Sequence, residues 1–147
     1  MVRKLAFNEV GRIAESAVKF IEQTQYKYGF DLPHFISNLT KMMMNGNAVC
    51  FVDEVNGKII SGIGFTIATD LYSPYTIMGE MWFYGEGAGG LKVIKAAEKW
   101  ATENKIDQIV MGSTLYNEDR NAKLYAKLGF ERDSSTYRKR ITCQKPV

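Results

Sequence analysis

Four glycines stand between a run of aromatic residues and an amphipathic segment in the middle of the chain. The stretch Tyr75 to Tyr84 is rich in β-branched and aromatic residues, which predicts a buried strand. From Leu91 onward the apolar residues share one side of a helical projection, which predicts a helix that begins at the glycines. Helix N-termini attract anions, and glycine lets an anion approach the backbone closely, so this spacing favours binding of an oligophosphate. The glycines are Gly85, Gly87, Gly89 and Gly90.

The same glycines also match the dinucleotide-binding pattern G-x-G-x-x-G, at Gly85, Gly87 and Gly90. That fold places an acidic residue about 20 positions further on, at the end of the next strand, to hold a ribose. The next predicted strand, Gln108 to Thr114, has no carboxylate at its end. A P-loop is excluded because no Gly-Lys-Ser/Thr sequence follows the glycines. A glycine-rich turn without a ligand remains an alternative.

The composition predicts one globular domain over residues 1–147, a length sufficient for a sizeable core. Two cysteines are too few for a disulfide scaffold and are not spaced as a metal site, so we expect a reducing cytoplasm and no metal. We find neither an uninterrupted signal-peptide core nor an apolar run long enough for a bilayer, and we expect no membrane association.

The charge distribution disfavours nucleic acid and favours a cationic substrate. The formal net charge is only +3, and no Lys or Arg occurs between Ile59 and Leu91, where the charged side chains are Asp70, Glu80 and Glu86. Phosphate recognition must therefore come from backbone N–H groups and the helix dipole, assisted by Lys92. An acidic surrounding also favours an amine as co-substrate.

The order of predicted elements indicates an α/β (α+β) domain with a mixed, mainly antiparallel sheet. Apolar residues at helical spacing follow Asn8, which is the predicted N-cap of a first helix. Asp31 and Pro33 are typical of the start of a second helix, and Asn56-Gly57 is a strong signal for a β-hairpin. The predicted elements are helices over Asn8 to Gln23 and Asp31 to Gly46, strands over Ala48 to Val55, Lys58 to Ala68 and Tyr75 to Tyr84, the helix after the glycines, a strand over Ile106 to Thr114, a helix over Asn117 to Leu128, and one or two last strands around Phe130 and Thr136 to Cys143.

Nearly the whole chain resembles the GNAT superfamily, the GCN5-related N-acetyltransferases. The run from Gly89 to Ala101 resembles the family's pyrophosphate-binding loop and the helix after it, and Leu124-Tyr125-Ala-Lys-Leu-Gly129-Phe130 is similar to the family's L-Y-x-x-x-G-F. The loop departs from the family's Q/R-x-x-G-x-G/A, with Gly85 at the Gln/Arg position and Ala88 at the first glycine. Asn121 stands where the family has alanine. The compact loop is similar to that of phage-encoded members.

The resemblance implies an acetyl-CoA-dependent N-acetyltransferase that moves an acetyl group directly to a primary amine of a small molecule or a protein. It implies that the phenol of Tyr125 donates a proton to the departing thiolate. Glu80 is our choice of general base, because a carboxylate on a central strand is costly to bury without a partner or a task. We expect Glu80 to alternate with Trp82 and Tyr84 on one strand face, with Ile77, Met81 and Phe83 on the other.

The resemblance also implies which residues hold coenzyme A. The backbone at the end of the central strand would pair with the pantetheine amides, and the glycine loop with the pyrophosphate. Asn117 and Asn121 would contact the pantetheine or a phosphate, although Asn117 is equally suited to be an N-cap. The expected cofactor-binding residues are Trp82, Phe83, Tyr84, Gly85, Gly87, Ala88, Gly89, Gly90, Leu91, Asn117 and Asn121.

Two other functions stay open at this point. The altered loop is also compatible with a catalytically degenerate GNAT-fold protein that binds a partner, and less so with a nicotinamide or nucleotide binder. The acceptor is not identified, since Tyr26, Tyr28 and Phe30 indicate only an aromatic lining for its pocket. We expect a homodimer formed through terminal strands.

Overall fold

The computed structural model describes residues 1–24, 29–85, 88–113, 118–139 and 141. A five-stranded sheet with the order β1-β2-β3-β4-β5 forms the centre, antiparallel except for the parallel pair β4 and β5. The predicted α/β fold with a mixed, mainly antiparallel sheet is therefore confirmed. In chain order the elements are β1 (Val2–Lys4), a 3-10 helix (Phe7–Ile13), α1 (Ala14–Thr24), α2 (Leu32–Met44), β2 (Ala48–Val55), β3 (Lys58–Thr69), β4 (Thr76–Tyr84), α3 (Gly89–Glu103), β5 (Gln108–Val110) and α4 (Glu118–Lys127).

Two local signals have the predicted geometry. The Asp31 carboxylate accepts the backbone N–H of His34 at 2.9 Å, so Asp31 is the N-cap of α2, with Pro33 in its first turn. Asn56 and Gly57 both have positive φ, at 53° and 77°, as a two-residue turn between antiparallel strands requires. These signals are read correctly because each depends on residues close together in sequence.

The first helix differs from the prediction at its N-terminus. Its first part is a 3-10 helix that begins at Phe7, with Ala6 rather than Asn8 in the N-cap position. The Glu9 carboxylate accepts the N–H of Ala6 at 3.1 Å and pairs with Arg3 and Arg12, which fixes the start of the helix. This network lowers the pKa of Glu9 to about 2, chiefly through the hydrogen bond from Arg3.

The core has two parts, one on each face of the sheet. The 3-10 helix and α2 cover one face, where Leu5, Ile13 and Leu39 pack with Trp82. Helix α3 covers the other face through Val93, Ile94 and Ala97. Leu124 and Tyr125 of α4, and Leu128 just after it, pack against the same cluster. Tyr125 therefore lies on the α3 side of the sheet.

The end of the chain contains less strand than predicted. Strand β5 ends at Val110, because Gly112 bonds to side chains rather than to a neighbouring strand. Residues 131–139 form no strand and are exposed, as is Ile141, so the predicted last strands are wrong over these residues. Tyr137 is the one large apolar side chain among residues 131–139, which is too few to form a buried face. Arg140 and residues 142–147 lie outside the described residues.

Candidate active site

A β-bulge in β4 determines which way Glu80 points. Glu80 pairs with Phe65 and Trp82 pairs with Gly64, so Met81 is an extra residue in β4. Phe65 belongs to the cluster on the α3 face, whereas Trp82 belongs to the cluster on the opposite face. Paired residues point to the same side of a sheet, so Glu80 faces α3. The predicted alternation of Glu80 with Trp82 and Tyr84 on one face is wrong, because it assumed a strand without a bulge.

Glu80 is a carboxyl group with a strongly altered proton affinity. Burial raises its pKa from the ordinary 4.5 to about 7, and a hydrogen bond from the backbone N–H of Gly112 partly opposes this rise by stabilising the charged form. A carboxyl group with such a pKa is present in both protonation states at neutral pH. It can therefore take up a proton and release it again, as a general base must.

Tyr125 lies on α4 beside the same glycine. Its phenol O–H donates to the carbonyl oxygen of Gly112 at 2.8 Å, and its ring centroid lies 5.7 Å from that of Phe130. Burial, and secondarily the negative charge of Glu80, raise the pKa of Tyr125 above its ordinary value of 10. The phenol therefore stays protonated at neutral pH and can act as a proton donor.

Gly112 connects the two side chains, and sequence reasoning missed it. Its N–H donates to Glu80 and its C=O accepts from Tyr125. The side chains predicted as base and acid thus lie at one place, bridged by one residue. Gly112 acts through its backbone groups, so its residue type does not reveal this role. The one sequence feature that could have pointed to it is a glycine that follows a strand.

The end of β4 leaves backbone groups available on the side of β5. The parallel ladder with β5 stops at Gly79, and within the described sheet no strand pairs with that side of β4 from Glu80 to Tyr84. The other side of β4 stays paired with β3 up to Tyr84. The backbone of Trp82, Phe83 and Tyr84 can therefore accept an extended, amide-containing ligand on its open side.

The glycines pack the end of β4 against the start of α3. The helix begins at Gly89, so Gly89 and Gly90 form its first turn rather than a loop before it. A Cβ at Gly85 would lie 2.6 Å from Cα of Gly90, and one at Gly89 would lie 2.1 Å from the Ser61 hydroxyl. Close packing therefore already accounts for glycine at positions 85 and 89. Gly87 lies outside the described residues.

The N-terminus of α3 nevertheless fits an anionic group. Its N-cap, Ala88, is exposed and makes no side-chain hydrogen bond to the helix, and no acidic residue occupies the first turn. Phosphate oxygens are suitable acceptors for the N–H groups of such a turn. The first turn contains Gly89, Gly90, Leu91 and Lys92, as the oligophosphate prediction requires.

One carboxylate near this helix start was not predicted. Asp53 of β2 is buried, and one carboxylate oxygen lies 3.6 Å from the position that a Cβ of Gly89 would take. The Met1 ammonium group lies 3.2 Å from the other oxygen and offsets the charge. The helix dipole and this ion pair therefore both contribute to the electrostatic potential at the start of α3.

The other residues predicted to bind coenzyme A lie in different surroundings. Trp82 lies flat against Gly62 and Gly64, and the Phe83 ring would lie 3.1 Å from a Cβ at Gly90. Tyr84 is buried beneath the Lys19 ammonium group, which lies 5.7 Å from the ring centroid. The Asn121 amide donates to the Ser113 hydroxyl at 3.3 Å. Asn117, Tyr26 and Tyr28 lie outside the described residues.

Of the aromatic residues predicted to line an acceptor pocket, Phe30 is among the described residues. Phe30 packs against Phe35 with ring centroids 5.9 Å apart, and Phe35 meets Trp82 edge-on at 6.5 Å. The described parts of the chain contain no group of three or more His, Cys, Asp or Glu arranged to hold a metal ion. None of the described helices is both long and apolar enough to cross a membrane.

The sequence matches no protein-family model and no curated protein, so comparison rests on the three-dimensional structure. A GCN5-related N-acetyltransferase from Ralstonia eutropha JMP134 has a TM-score of 0.72 at 17% identity, with 95% of this chain and 97% of that chain covered. A predicted acetyltransferase with acetyl-CoA from Clostridium acetobutylicum has a TM-score of 0.77 at 13% identity, with 95% of each chain covered. An aminoglycoside acetyltransferase from an uncultured soil metagenomic sample, in complex with sisomicin, has a TM-score of 0.75 at 16% identity, with 97% and 96% covered.

Proposed function

We propose that this chain, which has the fold of the GCN5-related N-acetyltransferases, is an acetyl-CoA-dependent enzyme that transfers an acetyl group directly to a primary amine. The observation that carries the proposal is the grouping of Glu80, Gly112 and Tyr125 beside the open side of β4. A base with a pKa near neutrality and a protonated phenol are the two groups that amine acylation by a thioester needs.

Acetyl-CoA would supply the activated acetyl group. The start of α3 would hold its pyrophosphate through backbone N–H groups, and the open backbone of β4 would hold its pantetheine amides. The close contact between Gly85 and Gly90 supports this arrangement, because it puts the end of β4 beside the start of α3. The residues proposed for binding are Trp82, Phe83, Tyr84, Gly85, Gly87, Ala88, Gly89, Gly90, Leu91 and Asn117; Asn121 is considered in the next subsection.

The two side chains would move protons in opposite directions. A carboxylate oxygen of Glu80 accepts a proton from the ammonium form of the acceptor, directly or through a water molecule. The hydroxyl of Tyr125 donates its proton to the thiolate that leaves. Tyr125 must release the Gly112 carbonyl to do so, since a phenol has one hydrogen to donate.

The acceptor is proposed as a primary amine of a small molecule or a protein. An acidic stretch without Lys or Arg surrounds Glu80 in the sequence, which favours a cationic acceptor. The structural neighbour that holds sisomicin, an aminoglycoside, supports an amine-bearing acceptor by analogy of fold. We also propose that the protein acts in the cytoplasm as a homodimer.

Thermal unfolding with and without acetyl-CoA tests the proposal, with NAD and ATP as controls. At a ligand concentration near 100 times the dissociation constant, linkage gives about 2.7 kcal/mol, or roughly 5–10 °C for a domain of this size. A shift with acetyl-CoA alone supports the proposal and justifies an assay of thiol release with a panel of amines. Absence of a shift at millimolar acetyl-CoA would contradict it and favour a partner-binding protein of the same fold.

The variant Ala88→Asp makes this test more specific. An aspartate at position 88 places a negative charge at the positive end of the α3 dipole, so the protein without ligand should gain about 0.3–1 kcal/mol of stability. The same carboxylate competes with a phosphate, so the shift caused by acetyl-CoA should shrink. An unchanged shift in this variant would mean that acetyl-CoA binds elsewhere.

A further inference from the structure

The Met111–Ser113 segment, which follows β5, is held at three points by two different elements. The Glu80 carboxylate of β4 lies against Gly112, with one oxygen 3.8 Å from the position that a Cβ of Gly112 would take, and the Gly112 N–H stabilises its charged form. The carbonyl of Gly112 accepts from Tyr125 on α4. The Ser113 hydroxyl accepts the amide N–H of Asn121, also on α4, at 3.3 Å. The segment thus connects the proposed base with one face of α4.

The hydrogen bond from Gly112 is directional, so its strength depends on where this segment lies. It favours the charged form of Glu80, whereas burial favours the neutral form. Tyr125 is the titratable group of α4 that interacts with Glu80, and the residues of β3 and β5 closest to Glu80 in register, Phe65 and Val110, carry no charge. A change in the position of Gly112 therefore acts on Glu80 directly.

We propose that Asn121 is a positioning residue, which holds Ser113 and so keeps the backbone N–H of Gly112 on the Glu80 carboxylate. Asn121 lies one helical turn before Tyr125, so both side chains project from the same face of α4. An alanine at this position would leave Ser113 without this contact. The contact requires nothing beyond the protein itself, whereas its effect on acetyl transfer rests on the function proposed above.

The role differs from a contact between Asn121 and coenzyme A. A contact with the ligand predicts that removing the amide weakens binding and leaves the ligand-free protein unchanged. A positioning role predicts a change in Glu80 before any ligand is added. Titration of Glu80 in the protein without ligand therefore separates the two roles.

The experiment follows the side-chain carboxyl carbon of Glu80 by NMR from pH 4 to pH 9, without coenzyme A. The variants are Asn121→Ala, Ser113→Ala and the double variant. Asn38→Ala, an exposed asparagine in the middle of α2, is the matched control. Complete loss of a hydrogen bond to a charged group corresponds to about one pKa unit, so we expect a rise of roughly 0.5–1 unit in each single variant.

The double variant should shift Glu80 no further than Ser113→Ala does, because that single variant already lacks the contact with Asn121. An unchanged pKa of Glu80 in folded Asn121→Ala, or equal shifts in Asn121→Ala and Asn38→Ala, would overturn the proposal. So would a loss of acetyl-CoA binding in Asn121→Ala with no change in Glu80.

An activity profile adds a second measurement if acetyl transfer is found. The acidic limb of kcat/KM should move to higher pH in Asn121→Ala by the same amount as the NMR titration. If no amine is acetylated while Glu80 still shifts, the proposed function fails and the positioning role stands. If acetyl transfer is found while Glu80 does not shift, the reverse holds.

Discussion

Burial raises the pKa of both Glu80 and Tyr125, and each increase suits the task proposed for that residue. The increase brings Glu80 to about 7, where a carboxylate is both present and basic enough to accept a proton. The increase at Tyr125 moves the phenol further from ionisation, which keeps its proton available. One buried environment therefore suits both the proposed base and the proposed acid, because the two groups start from different ordinary pKa values.

Replacing Tyr125 by Phe removes the proposed proton donor and keeps the ring that packs against Phe130. We expect turnover to fall by about 10²–10⁴-fold, the range typical of general acid catalysis. The thermal shift with acetyl-CoA should remain nearly unchanged. Steady-state kinetics measure the effect, and Tyr137→Phe, at a tyrosine that is 92% exposed, is the control. Unchanged turnover in Tyr125→Phe would remove the residue from this role.

Glu80 should make stability depend on pH, with a sign opposite to that of an ion-paired carboxylate. Near pH 4 it is largely protonated in both the folded and the unfolded chain. Between about pH 4.5 and pH 7 the unfolded chain loses this proton first, so the free energy of unfolding falls by up to roughly 3 kcal/mol. Above pH 7 the carboxyl group is ionised in both states, so the free energy of unfolding carries the full cost of burying the charged carboxylate.

Replacing Glu80 by Gln should remove this penalty. We expect the variant to gain stability relative to the parent protein as pH rises from 4 to 8, while acetyl transfer is lost. Chemical denaturation at pH 4, 6 and 8 measures the difference. A difference that does not vary with pH would show that the carboxyl group of Glu80 titrates normally.

At the scale of residues, the sequence predicts two side chains that the structure brings together, Glu80 and Tyr125, but not the residue that links them. Glu80 is predictable because a carboxylate in an apolar strand needs a reason, and Tyr125 because it lies in a recognisable pattern. Gly112 is not predictable, because its role depends on backbone groups that any residue possesses. Its contacts exist only once β4 and α4 are brought together.

The bulge at Met81 is the feature of β4 that matters most for the site. Without it, Glu80 and Trp82 would point to the same face, so either the carboxyl group or the indole would leave its present side of the sheet. A period of two predicts side-chain direction only while the ladder is regular, and one added residue reverses every later position. The type of element was therefore predictable here, but not the direction of its side chains.

Glycine at position 64 of β3 is required by the indole of Trp82. A Cβ at this position would lie 2.1 Å from the ring nitrogen, so Gly64→Ala should destabilise the protein by about 1–3 kcal/mol. Gly11→Ala is the control, because nothing lies within 4 Å of the added carbon, and we expect a change within about 1 kcal/mol. Denaturant unfolding compares the two variants. Equal effects would mean that the ring moves aside without cost.

Two large apolar side chains near the end of the chain are exposed to solvent. Tyr137 is 92% and Ile141 is 83% exposed, and β5 is the edge strand of the described sheet, with Val110 48% exposed. Unpaired edges and exposed apolar residues favour association with another chain. The homodimer therefore stays a prediction, although the strands expected to form it are absent over residues 131–139.

The double variant Tyr137→Ser with Ile141→Ser should convert a dimer to a monomer. Light scattering coupled to size-exclusion chromatography measures the mass. Tyr72→Ser is the control, because Tyr72 is 90% exposed in the loop between β3 and β4, far along the chain. A parent protein that elutes as a monomer at high concentration would refute the prediction directly.

The two tryptophans lie on opposite faces of the sheet and differ in their surroundings. Trp82 is buried, and within the described residues its ring N–H has no well-aligned hydrogen-bond partner and lies beside the Cys50 thiol. Trp100 of α3 packs edge-on against Phe51, and the Lys4 ammonium group lies 5.4 Å from its ring centroid. An apolar surrounding shifts indole fluorescence to shorter wavelengths, whereas a nearby charge and partial solvent contact alter it differently. Trp100→Phe and Trp82→Phe would therefore each leave one fluorophore, through which the unfolding of one side of the sheet can be followed separately from the other.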